Sequence, residues 1–345
     1  MAELVLSQSI IDILVIIVSF FILNWASNLS IKNAVKVSTI TRLSKTSIGF
    51  SLIAFSTSLP ELTVALIAAF SGGSSLSVGN VIGSNIVNIC IVLGLATVIL
   101  YLKRGRKCKG VPGFDAANII PQFAKSDLSS IHFGLFISSL VPMILIYVSG
   151  ATYAVGLILL FIFVGYMYKL SKIRLPEEEN PVDEEEKKKL RRYLILTLVG
   201  IAGVVGSAYF LVESAVGLAE SIGIPQTVIG ATIIAVGTSL PELTLGIRSI
   251  FDGHSALAFG NIIGSSFVNI TLILGITFFV PFLFGNAVQM NMDVFQNLII
   301  FSIITNLFFW YFLSRERISW REGALFLFIY SLFLATTLGV IQPTG

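Results

Sequence analysis

Residues 49–94 read GFSLIAFSTSLPELTVALIAAFSGGSSLSVGNVIGSNIVNICIVLG, and residues 230–275 read GATIIAVGTSLPELTLGIRSIFDGHSALAFGNIIGSSFVNITLILG. The two stretches align without a gap at a constant offset of 181, and 24 of the 46 positions are identical. Self-similarity of this kind marks two copies of one structural unit. Each copy places a single acid, Glu61 or Glu242, inside an apolar segment and directly after a proline.

The rest of the chain is written in the same apolar register. Of its 345 residues 55% are hydrophobic and 12% charged, and the mean hydropathy is +0.92. Uncharged windows of roughly 18 residues or more recur from end to end, each long enough for a hydrocarbon core of about 30 Å. The expectation is an all-α integral membrane protein with no separate soluble domain. The opening MAELVLSQ has neither a basic n-region nor a small-residue cleavage site, so no removable signal peptide is expected. Two cysteines make no disulfide framework. Cys90 reads as a core residue and Cys108 as a free thiol in a basic loop.

Ten spans are expected, at 4–29, 48–70, 76–102, 132–148, 152–168, 193–222, 227–250, 256–284, 294–314 and 323–341. In that arrangement all 22 lysines and arginines fall on one side of the membrane. Basic residues collect in cytoplasmic loops, so both termini are expected outside. Five spans separate the two copies, and an odd number inverts the second relative to the first. FILNWASNLS at 21–30 and FLVESAVGLA at 210–219 extend the echo to spans 1 and 6. The expected division is therefore a first repeat at 1–175, a charged cytoplasmic linker at 176–192 and a second repeat at 193–345. Inverted repeats with a site between them are a recurring plan of secondary transporters. The linker, PEEENPVDEEEKKKLRR, reads as a solvated helix start laced by i, i+4 charge pairs. A regulatory ion-binding loop is the sharper alternative, but it has no EF-hand spacing.

The repeated pentapeptide Thr-Ser-Leu-Pro-Glu, at 57–61 and 238–242, carries the chemistry. A proline inside a span removes an amide donor and clashes with the carbonyl four residues back, here Ser56 or Gly237. Irregular backbone at membrane depth is tolerated only where it is buried in protein or lines a wet cavity. Carboxylate, hydroxyl and freed carbonyl are hard oxygen ligands suited to Ca²⁺ or Na⁺. No lysine or arginine lies near either glutamate in sequence. A charge at the bilayer centre costs about 2.5–3.5 kcal/mol on the lenient insertion scale, so the missing positive charge must come from solution as metal ions or protons. Protonated glutamates acting only as helix glue are the bland alternative.

The second part of each copy reads GNVIGSNIVN at 79–88 and GNIIGSSFVN at 260–269. Its paired glycines let helices approach closely. Ser84/Asn88 and Ser265/Asn269 are spaced i, i+4, so each pair lines one face and either completes a coordination shell or bonds between helices. His132 and His254 are expected at the membrane interface. The chain has no nucleophile–base constellation and no phosphate-binding loop, so neither an enzyme nor a prosthetic group is expected.

These motifs resemble those of the cation/Ca²⁺ exchanger superfamily, most closely the prokaryotic Na⁺/Ca²⁺ exchangers, and the likeness covers nearly the whole chain. The resemblance implies ten helices as two inverted five-helix repeats with broken helices at the centre. It implies Ca²⁺ bound by Glu61, Glu242, Thr57 and Thr238. It also implies Na⁺ sites drawing on the carbonyls of Ala54 and Ala235 and on Ser58, Ser84, Ser239 and Ser265. Asn88 and Asn269 correspond to the family's polar pair, and Asn269 stands where many prokaryotic and K⁺-dependent members carry aspartate. K⁺ co-transport is accordingly not expected, nor are the large Ca²⁺-sensing domains of animal exchangers. The implied activity is Na⁺/Ca²⁺ antiport across the cell membrane by a chain working as a monomer in the lipid bilayer, with no nucleic-acid partner. A H⁺/Ca²⁺ antiporter of the same fold and a passive cation channel are the alternatives.

Overall fold

The computed structural model describes residues 2–71, 74–104, 125–147, 153–172, 184–221, 235–285, 292–315 and 318–337. Every regular element among them is helical. The first half holds α1 (Ala2–Thr41), α2 (Lys45–Ile48), α3 (Ala54–Thr57), α4 (Leu59–Ser71), α5 (Ser74–Val87), α6 (Gly94–Arg104), α7 (Lys125–Tyr147) and α8 (Tyr153–Lys172). The second holds α9 (Glu184–Lys188), α10 (Leu190–Ser221), α11 (Ala235–Thr238), α12 (Leu240–Phe251), α13 (Ser255–Val268), α14 (Leu274–Leu283), α15 (Met292–Ser314) and α16 (Trp320–Thr337). Wider π-helical turns join α2 to α3 (Gly49–Ile53), α5 to α6 (Asn88–Leu93) and α13 to α14 (Asn269–Ile273).

Burial separates a core from a periphery. In the continuous spans Ser77–Leu102 and Ser255–Leu283, 72% and 67% of the most apolar window is buried, against 28% in α1 and 33% in α10. The α5–α6 and α13–α14 rods therefore form the centre, while α1 and α10 lie against each other outside it. Gly200 of α10 packs onto Ala26 and Ser30, and Gly217 onto Asp12, so the two helices run antiparallel. Their outer faces carry exposed Phe21, Trp25, Tyr209 and Phe210, the surface a lipid-facing pair needs.

The same contact is built twice in the core. Gly94 of α6 meets Gly323 of α16, and Gly275 of α14 meets Gly156 of α8. Gly94 and Gly275 are equivalent positions of the duplicated stretch. Around Phe267 of α13, the rings of Phe50, Phe133, Phe163 and Tyr166 fill the space between α7, α8 and the first π-turn.

Seven helices among the described residues are individually long and apolar enough to cross a membrane, against the ten expected. The three others have physical reasons. The second and seventh are broken at Ser58 and Ser239, and the tenth, α16, has Arg321 and Glu322 in its first turn. One finer expectation is corrected. Lys32 and Lys36, expected in a loop, lie on α1, which runs on to Thr41 before Arg42 turns the chain at φ 59°. His132 lies on α7 near the start of its span, beside Trp310, with Nε2 buried and without a partner. Cys90 is buried, as expected. Cys108, the hairpin at 149–150, linker residues 176–183 and the start of the seventh span at 227–234 lie outside the described residues.

Candidate ion-binding site

Each repeated pentapeptide breaks its helix at the serine. Ser58 (φ −82°, ψ 10°) and Ser239 (φ −91°, ψ 6°) leave the α-helical well in nearly the same way. Pro60 and Pro241 are the second residues of α4 and α12, where a missing N–H is tolerated because the first amides of a helix have no intrahelical partner. The proline thus starts a new helix instead of kinking an old one. Glu61 and Glu242 follow within the first turn, where the helix dipole favours an anion. Each carboxylate lies against its own backbone N–H.

Both glutamates are fully buried. Ser84 Oγ donates to Glu61 Oε1 at 3.4 Å, and its counterpart Ser265 Oγ donates to Glu242 Oε1 at 3.5 Å. A second symmetric pair crosses between the repeats. Thr57 Oγ1 donates to Asn261 Oδ1 at 3.4 Å, and Thr238 Oγ1 to Asn80 Oδ1 at 3.5 Å. Ser58 reaches across as well, donating to Glu242 Oε1 at 3.2 Å, so the residue three before one acid binds the other. The central rods meet where Asn269 Nδ2 donates to Asn85 Oδ1 at 3.1 Å.

α13 can lie this close because Gly260 and Gly264 face the backbone of Thr46 and Phe50, at a separation that leaves no room for a Cβ. Asn88 and Asn269 each open a π-turn, a local widening common at functional sites.

The polar shell is not saturated from within. Glu61 Oε2, Glu242 Oε2, Ser239 Oγ, Asn88 Oδ1 and Asn269 Oδ1 are all buried without a hydrogen-bond partner. Buried polar atoms are ordinarily paired, and a group left unpaired costs about 1–3 kcal/mol, more if charged. Beside these five oxygens, three amide nitrogens, Asn80 Nδ2, Asn88 Nδ2 and Asn261 Nδ2, are also buried without a partner. Among the described residues no lysine or arginine bonds either carboxylate, and no three His, Cys, Asp or Glu side chains cluster. The atoms here with lone pairs to offer are oxygens, two of them carboxylate, and such donors fit a hard cation and not a thiolate- or imidazole-seeking metal.

Of the twelve residues expected at the site, Thr57, Ser58, Ser265 and Glu242 form one hydrogen-bonded group and Ser84 with Glu61 a second, the two acids lying within electrostatic reach of each other. Thr238 turns to Asn80, and Asn269 to Asn85. Ser239 and Asn88 are buried with their polar atoms unpartnered. The Ala54 carbonyl already accepts the Ser58 N–H at 3.0 Å and the Thr57 hydroxyl at 3.2 Å, and Ala235 opens α11. The reading from sequence missed Asn80, Asn261 and Asn85. The first two were within reach, being identical in both copies and four residues before Ser84 and Ser265.

A family profile described as "Sodium/calcium exchanger protein" matches the chain twice, over residues 11–172 and 192–339. The chain belongs to the sodium/calcium exchanger family. Sodium/calcium exchanger MaX1 of Methanosarcina acetivorans is 29% identical over 77% of this chain and 82% of its own length. The uncharacterized membrane protein MJ0091 of Methanocaldococcus jannaschii is 28% identical over 84% of this chain and 85% of its own. Among solved structures, the sodium-calcium exchanger NCX_Mj soaked with 10 mM Na⁺ and zero Ca²⁺ superposes with a TM-score of 0.78. It is 25% identical, and the match covers 95% of this chain and 99% of that one. The protein is thus a multi-pass transmembrane member of an antiporter family that transports Na⁺ and Ca²⁺.

Proposed function

We propose that this exchanger moves Ca²⁺ against Na⁺ across the cell membrane by alternating access, with Ca²⁺ held between Glu61 and Glu242. The observation that carries the reading is the pair of buried carboxylates, each with an unpartnered oxygen and no basic residue bonded to it. Two such anions are tolerated when a divalent cation joins them to the hydroxyls of Thr57 and Thr238. When Ca²⁺ leaves, Na⁺ takes over the same oxygens, together with Ser58, Ser84, Ser239, Ser265, the Ala54 and Ala235 carbonyls, and Asn88 and Asn269. One set of charges cannot neutralise both loads at once, which makes the two ions exclusive and the exchange obligatory. With about three Na⁺ per Ca²⁺, one net charge crosses in each cycle and couples it to the membrane potential at about 2.3 kcal/mol per 100 mV.

The architecture that suits this cycle is ten spans in two inverted repeats, 1–175 and 193–345, joined by the charged segment 176–192. Basic loops lie in the cytoplasm, both termini lie outside, and the chain works as a monomer. The antiparallel course of α1 and α10 supports the inversion, and their peripheral place suits two helices that slide over a fixed core.

Vesicles loaded with Na⁺ and diluted into Na⁺-free medium should take up ⁴⁵Ca²⁺, and collapsing the Na⁺ gradient should stop it. Uptake indifferent to Na⁺ but driven by a pH gradient would replace this reading with H⁺/Ca²⁺ exchange.

A further inference from the structure

A cavity of about 680 Å³ lies between the inner part of α1 and the end of α12, and neither glutamate lines it. Its charged lining is Lys32 and Lys36 of α1 with Arg248 and Asp252 of α12 and its C-cap, and Trp25 stands at its edge. The one acid is already engaged, since Arg248 Nε donates to Asp252 Oδ2 at 2.9 Å. The guanidinium also donates to Asn24 Oδ1 at 3.2 Å. Burial and the nearby Lys45 ammonium hold the His254 imidazole below its ordinary value, although Asp252 pulls the other way. Nδ1 of the ring lies 3.3 Å from Lys45 Nζ.

Lys32 and Lys36 remain. They are exposed, one helical turn apart on one face, and bonded to no acid among the described residues. The cavity therefore keeps an excess of positive charge. Its rim is of opposite character. Trp25 is 62% exposed and Phe21, a turn away on the same helix, is 72% exposed. Tryptophan favours the headgroup level of a bilayer, with hydrocarbon to one side and water to the other. A cationic pocket bordered by a lipid-facing aromatic edge fits an amphiphile whose anionic end enters the pocket.

We propose that this cavity binds the phosphate of an anionic phospholipid headgroup through Lys32, Lys36 and Arg248, with the acyl chains running along the Phe21–Trp25 face of α1. The volume lies within the range of small-ligand pockets, and Arg248, whose Nε and Nη1 are held by Asp252 and Asn24, adds a fixed guanidinium charge beside the two lysines. A lipid seated there touches both the peripheral α1 and the end of α12, so it ties the position of α1 to the composition of the surrounding leaflet.

The test is native mass spectrometry of the purified full chain titrated with dioleoyl phosphatidylglycerol or dioleoyl phosphatidylcholine. Wild type should retain the glycerol lipid selectively, and millimolar inorganic phosphate should not displace it. At the usual worth of a basic residue near an anionic surface, K32Q/K36Q should weaken retention on the order of thirtyfold and K36Q alone about fivefold. K32R/K36R should bind like wild type, and so should K169Q/K172Q, which removes two basic residues elsewhere. Because Lys36 is exposed, K36Q keeps the comparison available if the double variant fails to fold. Unchanged retention in K36Q, an equal loss in K169Q/K172Q, or displacement by inorganic phosphate would each overturn the lipid site.

Discussion

The two pentapeptides at 57–61 and 238–242 have one sequence and one backbone geometry, yet their acids stand in different surroundings. Glu242 accepts from two hydroxyls, Ser58 at 3.2 Å and Ser265 at 3.5 Å. Among the described residues Glu61 is faced by one, from Ser84. The serines at the breaks differ in the same sense. Ser58 donates across to Glu242, whereas Ser239, its counterpart, is fully buried and has no partner. Duplication therefore supplies equal parts without equal environments.

The largest effect tests whether the two acids remain equivalent in function. Glu61→Gln and Glu242→Gln should each lower Na⁺-driven ⁴⁵Ca²⁺ uptake at least a hundredfold, because a neutral amide leaves a divalent ion with one carboxylate. A variant that kept near-normal uptake would confine the site to one repeat. Next comes Gly260→Ala, which presses a methyl group onto the Thr46 carbonyl. Overpacking of this kind costs about 1–3 kcal/mol, and it should push α13 from α2 and the first π-turn and loosen the contact of Ser265 with Glu242. A lower melting temperature with weaker Ca²⁺ binding is expected, and an unchanged melt would mean that the contact is loose.

Ser58→Ala against Ser239→Ala sharpens the contrast at single-atom scale. A hydrogen bond contributes about 0.5–1.5 kcal/mol net, so Ser58→Ala should lower the melting temperature of the ion-free protein more than Ser239→Ala does. Equal effects would erase the asymmetry. The smallest effect concerns His254. Its folded pKa lies below the unfolded value, so the unfolded chain binds more protons as pH drops below about 6.5. The contribution to stability is complete above that pH and declines as pH falls towards the folded pKa. His254→Gln should flatten that slope in melts recorded from pH 7 to pH 5.

Much of this was legible in the sequence, for identifiable reasons. An acid after a proline in an apolar run has few explanations, and its repetition 181 residues later leaves fewer. The breaks at Ser58 and Ser239, the buried acids and the Ser84 and Ser265 contacts follow from that. A repeat shows which positions correspond, but not which ones touch across the interface. Asn80, Asn261 and Asn85 were hidden for that reason. The π-turns at Asn88 and Asn269 were hidden because hydrophobic spacing cannot distinguish one extra residue per turn within an all-apolar rod. The full length of α1 escaped because Lys32 and Lys36 read as a loop when they are the charged end of a helix.

The central claim is that the charge opposing Glu61 and Glu242 is supplied by the transported ion. Equilibrium ⁴⁵Ca²⁺ binding to the purified protein, titrated with Na⁺ and repeated on E61Q/E242Q, tests it most directly. Wild type should bind one Ca²⁺ per chain and release it as Na⁺ rises, and the folded double variant should bind none. Saturable, Na⁺-sensitive Ca²⁺ binding in that variant would contradict the account.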